Sequence, residues 1–467
     1  MKFVLGSSEI SFRVILLATL CGFMVACGGS STDSEPWEDP VEEEEEDEDS
    51  ELSPFETRVM LLDQALFPID STEPMSALDD LTPLSRVAQA RVVGLGEATH
   101  GTREFFQLKH KIFRWLVEEY GVTVFAIEAS VSEGVYLDRY VQTGEGDLEA
   151  IMMDRIWWWA WSTEEIRDLI QWMADYNASN PLAEPLRYFG VDCGPIGGQP
   201  DLIIEYFSGA APAWVNEVEA VVGPHRGDLD EAWERYPAME LLEYETILSE
   251  FEALRDQMVD EKAALVEASS SADYRLTLYL LDSMIAGHKY YFLLFTGHGP
   301  DEANTFRDRC MADSVIRLEE LVDVGVRVAY WGHNWHISSS LLEDDIPYAG
   351  YHLRQDLGNE YRSIGFSLSH GQMIAIGQQG VTVYDMPLPP KEGSVAELFH
   401  AAPESEFILD LGALPGSELL DWLRQPQYTR TTGSAFSAAQ HYVKERVAER
   451  YDVIIHVDES TPSVRLE

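Results

Sequence analysis

Positive charge is the scarcest commodity in this chain: Lys and Arg number 32 against 82 Asp and Glu, for a formal net charge of −50. Nothing in the sequence resembles a basic face able to displace counterions from phosphates, so no nucleic-acid partner is expected. Cysteine is also rare. Four cysteines are too few for a disulfide scaffold or a cysteine-rich zinc site. Cys21 falls in the N-terminal leader and Cys27 directly after it, which leaves a single pairing open, Cys193 with Cys310, if the compartment is oxidising. The apolar run from Val14 to Ala26 is too short to span a bilayer. There is no G-x-S-x-G elbow, no P-loop and no H-E-x-x-H, so the usual serine-hydrolase, nucleotide-phosphate and zincin signatures are missing.

What is present begins with an export signal. Lys2 and Arg13 precede the Val14–Ala26 core, and the run ends in Met24-Val25-Ala26-Cys27-Gly28, which resembles a bacterial lipobox. Residues 1–26 therefore read as a lipoprotein signal peptide, with Cys27 as the lipidated N-terminus of the mature chain. Residues 27–55 read as an acidic disordered spacer. They include Glu42 to Asp49 without interruption by any other residue type, and such a segment cannot bury enough surface to fold. The expected location is extracytoplasmic, anchored through lipid to the cell membrane or the outer membrane.

Residues 56–467 lack a second linker or an internal repeat and read as one α/β domain with a helical insertion at about 200–300. Apolar, β-branched stretches at Arg91–Leu95, Val122–Ile127, Leu186–Val191, Val326–Trp331 and Tyr361–Ser367 suit buried parallel strands. Thr102–Tyr120 has helical apolar spacing and is stopped by Gly121. With its flanking strands it predicts a βαβ unit. A further helix is predicted at Thr163–Asn180, and shorter strands at Val381–Tyr384, Phe407–Leu411 and Val453–Val457. The fold class is a mostly parallel central sheet flanked by helices.

Polar residues follow these strands. The first runs into Gly96-Glu97-Ala98-Thr99-His100-Gly101, the second into Glu128, the third into Asp192, and the fourth into Gly332-His333-Asn334-Trp335-His336. In an open parallel sheet the carboxyl ends of the strands share one edge, where ligands bind. Such a group fits water attack on an acyl centre: one histidine takes the proton, a carboxylate fixes its tautomer, and a second imidazole steadies the oxyanion. Each residue also has a structural reading: Glu97 as a helix-capping acid, Glu128 as an ion-pair partner of Arg103 or Lys109, Asp192 as a cap, His336 as a structural histidine. The Trp157-Trp158-Trp159-Ala160-Trp161 tract cannot all face one core, so at least one ring is expected to line a cleft or meet the membrane. Gly94 to Thr99 half-matches a dinucleotide fingerprint, but Thr99 replaces the third glycine and Glu97 would repel a pyrophosphate.

The segment Gly94 to Phe106, Lys109 on the next helix, Glu128 in Ile127-Glu128-Ala129, the Trp161-Ser162-Thr163-Glu164-Glu165 helix start with Trp172 to Asn177, Arg307-Asp308, and His333 to Ile337 together resemble the erythromycin esterase family. The resemblance implies ester or lactone hydrolysis with His100 as general base, Glu97 and Glu128 orienting it and His333 across the cleft. Lys109, Trp161, His336 and Asp192 are then expected to meet a small-molecule ester or lactone substrate, a macrolide being one candidate in antibiotic resistance. No cofactor is implied. The alternatives are a metal-dependent hydrolase, with a divalent metal on Glu97, His100, Glu128 and His333 or His336, and a surface lipoprotein that binds a ligand without turnover.

Overall fold

The computed structural model describes residues 52–467 except positions 195, 228–232, 297–299, 323–324, 342–345 and 415. The signal peptide, Cys27, most of the acidic spacer and His298 lie outside the described residues. Among the described residues, no helix is long and apolar enough to cross a membrane.

Among the described residues, a nine-stranded sheet organises the domain. Its strands are β1 (Phe67–Pro68), β2 (Val92–Leu95), β3 (Val124–Ser130), β4 (Arg187–Asp192), β5 (Val328–Trp331), β6 (Tyr361–Gly377), β7 (Gly380–Met386), β8 (Glu406–Asp410) and β11 (Val453–Ser460), ordered β1-β8-β11-β6-β2-β5-β3-β4 with β7 hairpinned onto β6. β9 (Gln427–Arg430) and β10 (Tyr442–Glu445) form a separate antiparallel pair. From β11 to β4 every pairing along the path is parallel, and β1, β7 and β8 join antiparallel. The mostly parallel α/β class expected from the sequence is present.

The strands read as continuous apolar runs because both faces are covered. On β3, Phe125 and Ile127 enter one core cluster while Val124 and Ala126 enter the other. The first cluster packs α1 (Arg103–Tyr120), the Leu137 side of α2 (Val131–Thr143) and α3 (Glu164–Ser179) onto the sheet. The second packs the inserted helices, including Gln199–Ala210, Ser271–Phe295 and α4 (Pro300–Leu321). These helices lie between β4 and β5 in the chain, so the insertion reaches past residue 300.

Two sequence expectations change in detail. β2 and β3 are not neighbours: β5 lies between them, with Val328 in register with both Val92 and Val124. A strand arriving some 200 residues later along the chain is invisible to local periodicity. The strand begun at Tyr361 is also far longer than Tyr361–Ser367, because its second half leaves the parallel sheet to pair with β7.

α1 ends as expected at Gly121, whose φ of 66° is the left-handed cap that glycine adopts freely. Its start is tied down by the C-terminal strap. Arg103 N donates to Thr461 O and Ser463 N to Gly101 O, while Glu164 N, opening α3, donates to Val464 O. Gly101 must be glycine for a steric reason: a Cβ there would lie 2.0 Å from Ile374 O on β6. The expected outcome for Gly101→Ala is a loss of roughly 1–3 kcal/mol in urea-unfolding stability, the usual cost of overpacking against backbone. An unchanged midpoint would show that the loop does not need this approach.

Candidate functional site

The carboxyl ends of β2, β5, β3 and β4 lie side by side, and their polar residues meet there. Glu97, two residues past β2, is fully buried. Its Oε1 is 2.6 Å from His100 Nδ1, and its Oε2 accepts from Lys109 Nζ and, at 3.0 Å, from Trp331 Nε1. Lys109 enters from α1, with Nζ 3.8 Å from the centre of the Trp331 ring. Burial lowers the Lys109 ammonium to about 8, although Glu97 pulls the other way.

Because Nδ1 of His100 faces a carboxylate, that nitrogen carries the proton and the lone pair sits on Nε2. The imidazole is held by rings: Trp158 at 4.9 Å, Trp161 at 5.7 Å and His333 at 5.1 Å between centroids. His333 is buried. Burial, together with repulsion from His100 and His336, depresses its pKa well below the ordinary range, so it is neutral. Its Nδ1 accepts from Trp335 N at 3.3 Å and its Nε2 lies 3.4 Å from Thr431 Oγ1.

Glu128 is the hub of a second network. Its Oε1 meets Arg307 Nη2 at 2.9 Å and His336 Nε2 at 3.1 Å, and its Oε2 accepts from His333 N at 3.0 Å. Burial alone would raise this carboxyl, but His336 and Arg307 outweigh it and hold the group well below the usual range. Arg307 forks onto Asp192 with contacts of 3.0, 3.0 and 2.6 Å, joining the ends of β3 and β4 through α4. Asp308, next along α4, binds His336 Nδ1 at 2.6 Å. His336 is desolvated, yet Asp308 and Glu128 raise it to about 10, making it an imidazolium.

The structure therefore brings Glu97, His100, Glu128 and His333 together. The four side chains expected to meet substrate all have protein partners. Lys109 stands behind Glu97, His336 lies between two carboxylates, Asp192 grips Arg307, and Trp161, 1% exposed, donates from Nε1 to Glu128 O at 2.9 Å. Trp158 is the more exposed ring beside His100. The ion-pair partner of Glu128 is Arg307 rather than Arg103 or Lys109. Cys193 and Cys310, flanking this network, are free thiols, and the hydrogen bond of the Cys193 thiol to Cys310, together with burial, pushes that thiol up. His288, on the insertion, is a core histidine between Tyr236 Oη at 2.8 Å and Tyr244 O at 3.1 Å.

Several members escape a reading of strand ends. Arg307 and Asp308 sit mid-helix, and their only sequence signal is an adjacent pair within the family-like segments. Glu133, on the helix after β3, accepts from Trp157 N at 3.1 Å and is raised to about 8 by burial and by Asp192, so it is protonated at neutral pH. Thr431 arrives from a distant loop. It also lines a groove of about 910 Å³ bordered by Trp335, Ile376, Tyr384, Phe436 and Tyr442. The Trp335 ring lies 4.8 Å from that of His333, so the groove opens on the His333 side of the site.

Histidines and carboxylates thus converge on the sheet edge of an α/β protein. The chain belongs to the erythromycin esterase family, whose model matches residues 117–460. That span begins within α1, beyond Glu97 and His100. Erythromycin esterase type II of Escherichia coli is 25% identical over 356 residues, covering 70% of this chain and 82% of that protein. The putative hydrolase YbfO of Bacillus subtilis is 22% identical over 428 residues, covering 85% and 90%. Solved structures share the fold. A succinoglycan biosynthesis protein aligns with a TM-score of 0.76 at 24% identity, over 89% of this chain and 100% of that one. The erythromycin esterase EreC in its open conformation aligns with a TM-score of 0.65 at 17% identity, over 85% and 98%. Hydrolase activity is supported at the level of the family.

The raised pKa of His336 links the site to stability. Its folded pKa, about 10, exceeds the ordinary 6.5, so its contribution is complete below about pH 6.5 and is lost as pH rises through 10. Wild type should therefore lose unfolding free energy between pH 6.5 and 10 more steeply than His336→Gln, as read by denaturant titration. Parallel pH profiles would contradict the buried imidazolium.

Proposed function

We propose that this chain hydrolyses carboxylic esters or lactones by histidine-activated water, and that it does so outside the cytoplasm, tethered through lipid on Cys27. The observation that carries the chemistry is the buried Glu97–His100 pair, with a neutral His333 5.1 Å away between ring centres.

A water at His100 Nε2 attacks the carbonyl carbon as Nε2 takes its proton. The C–O π pair moves onto the carbonyl oxygen, and the N–H of neutral His333 donates to that oxyanion once it turns from Thr431. Collapse of the tetrahedral species expels the alkoxide, which takes the proton back from His100. The charges of the site favour the first step. Glu97, Glu128, Asp192 and Asp308 face three cations, Lys109, Arg307 and His336, so one negative charge is left over to stabilise a protonated His100. Substrate reaches His333 through the groove beside Trp335 and Thr431, whose aromatic wall suits an apolar ester or a macrolide lactone.

The metal-dependent reading fits these residues less well. Both oxygens of Glu97 are taken by His100, Lys109 and Trp331, and those of Glu128 by Arg307, His336 and the His333 backbone. Carboxylates already neutralised by cations are poor ligands for another cation.

The test is an ester and lactone panel. His100→Ala should lower kcat/KM by about 10²-fold or more, and Lys109→Met should lower kcat with less effect on KM, because Lys109 acts through Glu97. Wild-type turnover should survive exhaustive chelation. A fully active His100→Ala protein would sink the mechanism, turnover abolished by chelator would favour the metal, and a folded chain inert on the whole panel would favour ligand binding alone.

A further inference from the structure

Beyond the hydrolytic centre, three donors converge at another place on the sheet. We propose that His370, His400 and Asp458 form a site for a divalent cation of borderline softness, Zn²⁺ being the best fit.

The residues come from three separate elements: His370 from β6, Asp458 from β11, and His400 from the end of the short helix Val395–His400. One donor atom from each lies within 4.8 Å of the others. Asp458 Oδ1 is 2.8 Å from His400 Nδ1, Asp458 Oδ2 is 3.5 Å from His370 Nε2, and the two imidazole rings are perpendicular with centroids 5.6 Å apart. Ligands about 2.0–2.2 Å from a tetrahedral zinc sit roughly 3.3–3.6 Å from one another. The His370 spacing already falls in that range and the His400 spacing lies below it, so small side-chain rotations would seat an ion, with the fourth position left to water. Two imidazoles and one carboxylate suit zinc better than the hard, all-oxygen cations.

The carboxylate is held from behind. His456, fully buried, lies 3.8 Å from Asp458 Oδ1 through Nε2, is fixed by Ser367 Oγ at 2.9 Å and Ser369 Oγ at 3.2 Å, and packs on the rings of Phe399 and Phe407. A fixed, buried imidazole beside the carboxylate limits the places it can take, as the surroundings of a preformed metal site do. In front, His400 is exposed and His370 half-buried, so an ion can enter. The cluster is on the sheet face covered by the second core, where Phe399 and Phe407 pack, away from α1 and Glu97.

The experiment is equilibrium dialysis of untagged full chain, stripped with chelator, against ZnCl₂ in excess Ca²⁺ to occupy the acidic run at residues 42–49. One zinc per chain is expected. His400→Ala and His370→Ala should each weaken binding by at least the ~10–100-fold that loss of an outer-shell partner costs, while His100→Ala binds as wild type. Zinc should raise Tm in wild type and His100→Ala but not in His400→Ala, with circular dichroism showing both variants folded. Absence of stoichiometric zinc, binding indifferent to both cluster variants, or loss confined to His100→Ala would each overturn the proposal. Ester turnover is not read here, so the result stands apart from the hydrolytic mechanism.

Discussion

Buried charge with no access to water is the constraint around which this domain is arranged. The parallel strands end at one edge and deliver Glu97, Glu128 and Asp192 there, and α4 adds Asp308, all of them almost wholly out of solvent. A lone buried carboxylate costs several kcal/mol, so each must be paired. Lys109, Arg307 and His336 supply the pairing, and each demands an element in a set place. Arg307 and Asp308 reach the sheet only because Met311, Val315 and Leu318 of α4 bury themselves in the second core. Lys109 reaches Glu97 only because Phe105, Leu108 and Ile112 seat α1 in the first. Apolar packing thus sets the electrostatics, and the ion pairs fix the register between helices and strand ends.

The same frame gives three neighbouring histidines three different states. His336 lies between two carboxylates and is charged. His333 borders His336 and His100, and among the described residues its ring has no carboxylate partner, Glu128 accepting only from its backbone N–H, so burial and repulsion keep it neutral. His100 meets a single carboxylate oxygen through Nδ1. An imidazolium, a neutral ring and a ring hydrogen-bonded to one carboxylate follow from which groups each touches, and in the proposed hydrolysis the three take separate parts.

Much of this could be read along the chain, because buried parallel strands announce themselves as apolar runs and their polar terminators stand immediately after them. Glu97, His100, Glu128, Asp192 and His333 are all legible in that way. The partners are not. Glu128 and Arg307 are 179 residues apart, and Thr431 is 98 from His333. Arg307 looks in sequence like any arginine on a helix. The tryptophan tract misleads for a related reason. Trp161 resembles a cleft wall, but its indole N–H is spent on the Glu128 carbonyl, and exposure belongs to Trp158. Placing β5 between β2 and β3 likewise depends on a long helical excursion that carries no periodic trace of where it returns.

On the proposed mechanism, chemistry and selection of substrate are carried by separate parts of the chain. The charged frame is made from strand ends and three helices, whose residues are locked to one another, so a change at one leaves an uncompensated charge at the next. The groove beside His333 is made from the β6–β7 hairpin and the stretch through residues 431–443, which touch the frame chiefly at Thr431 and Trp335. Groove residues such as Ile376, Phe436 and Tyr442 can change size or polarity without unpairing any buried charge. On the proposed mechanism, substrate identity is written in the second half of β6, in β7 and in the loop that carries Thr431, and the reaction is written at the sheet edge.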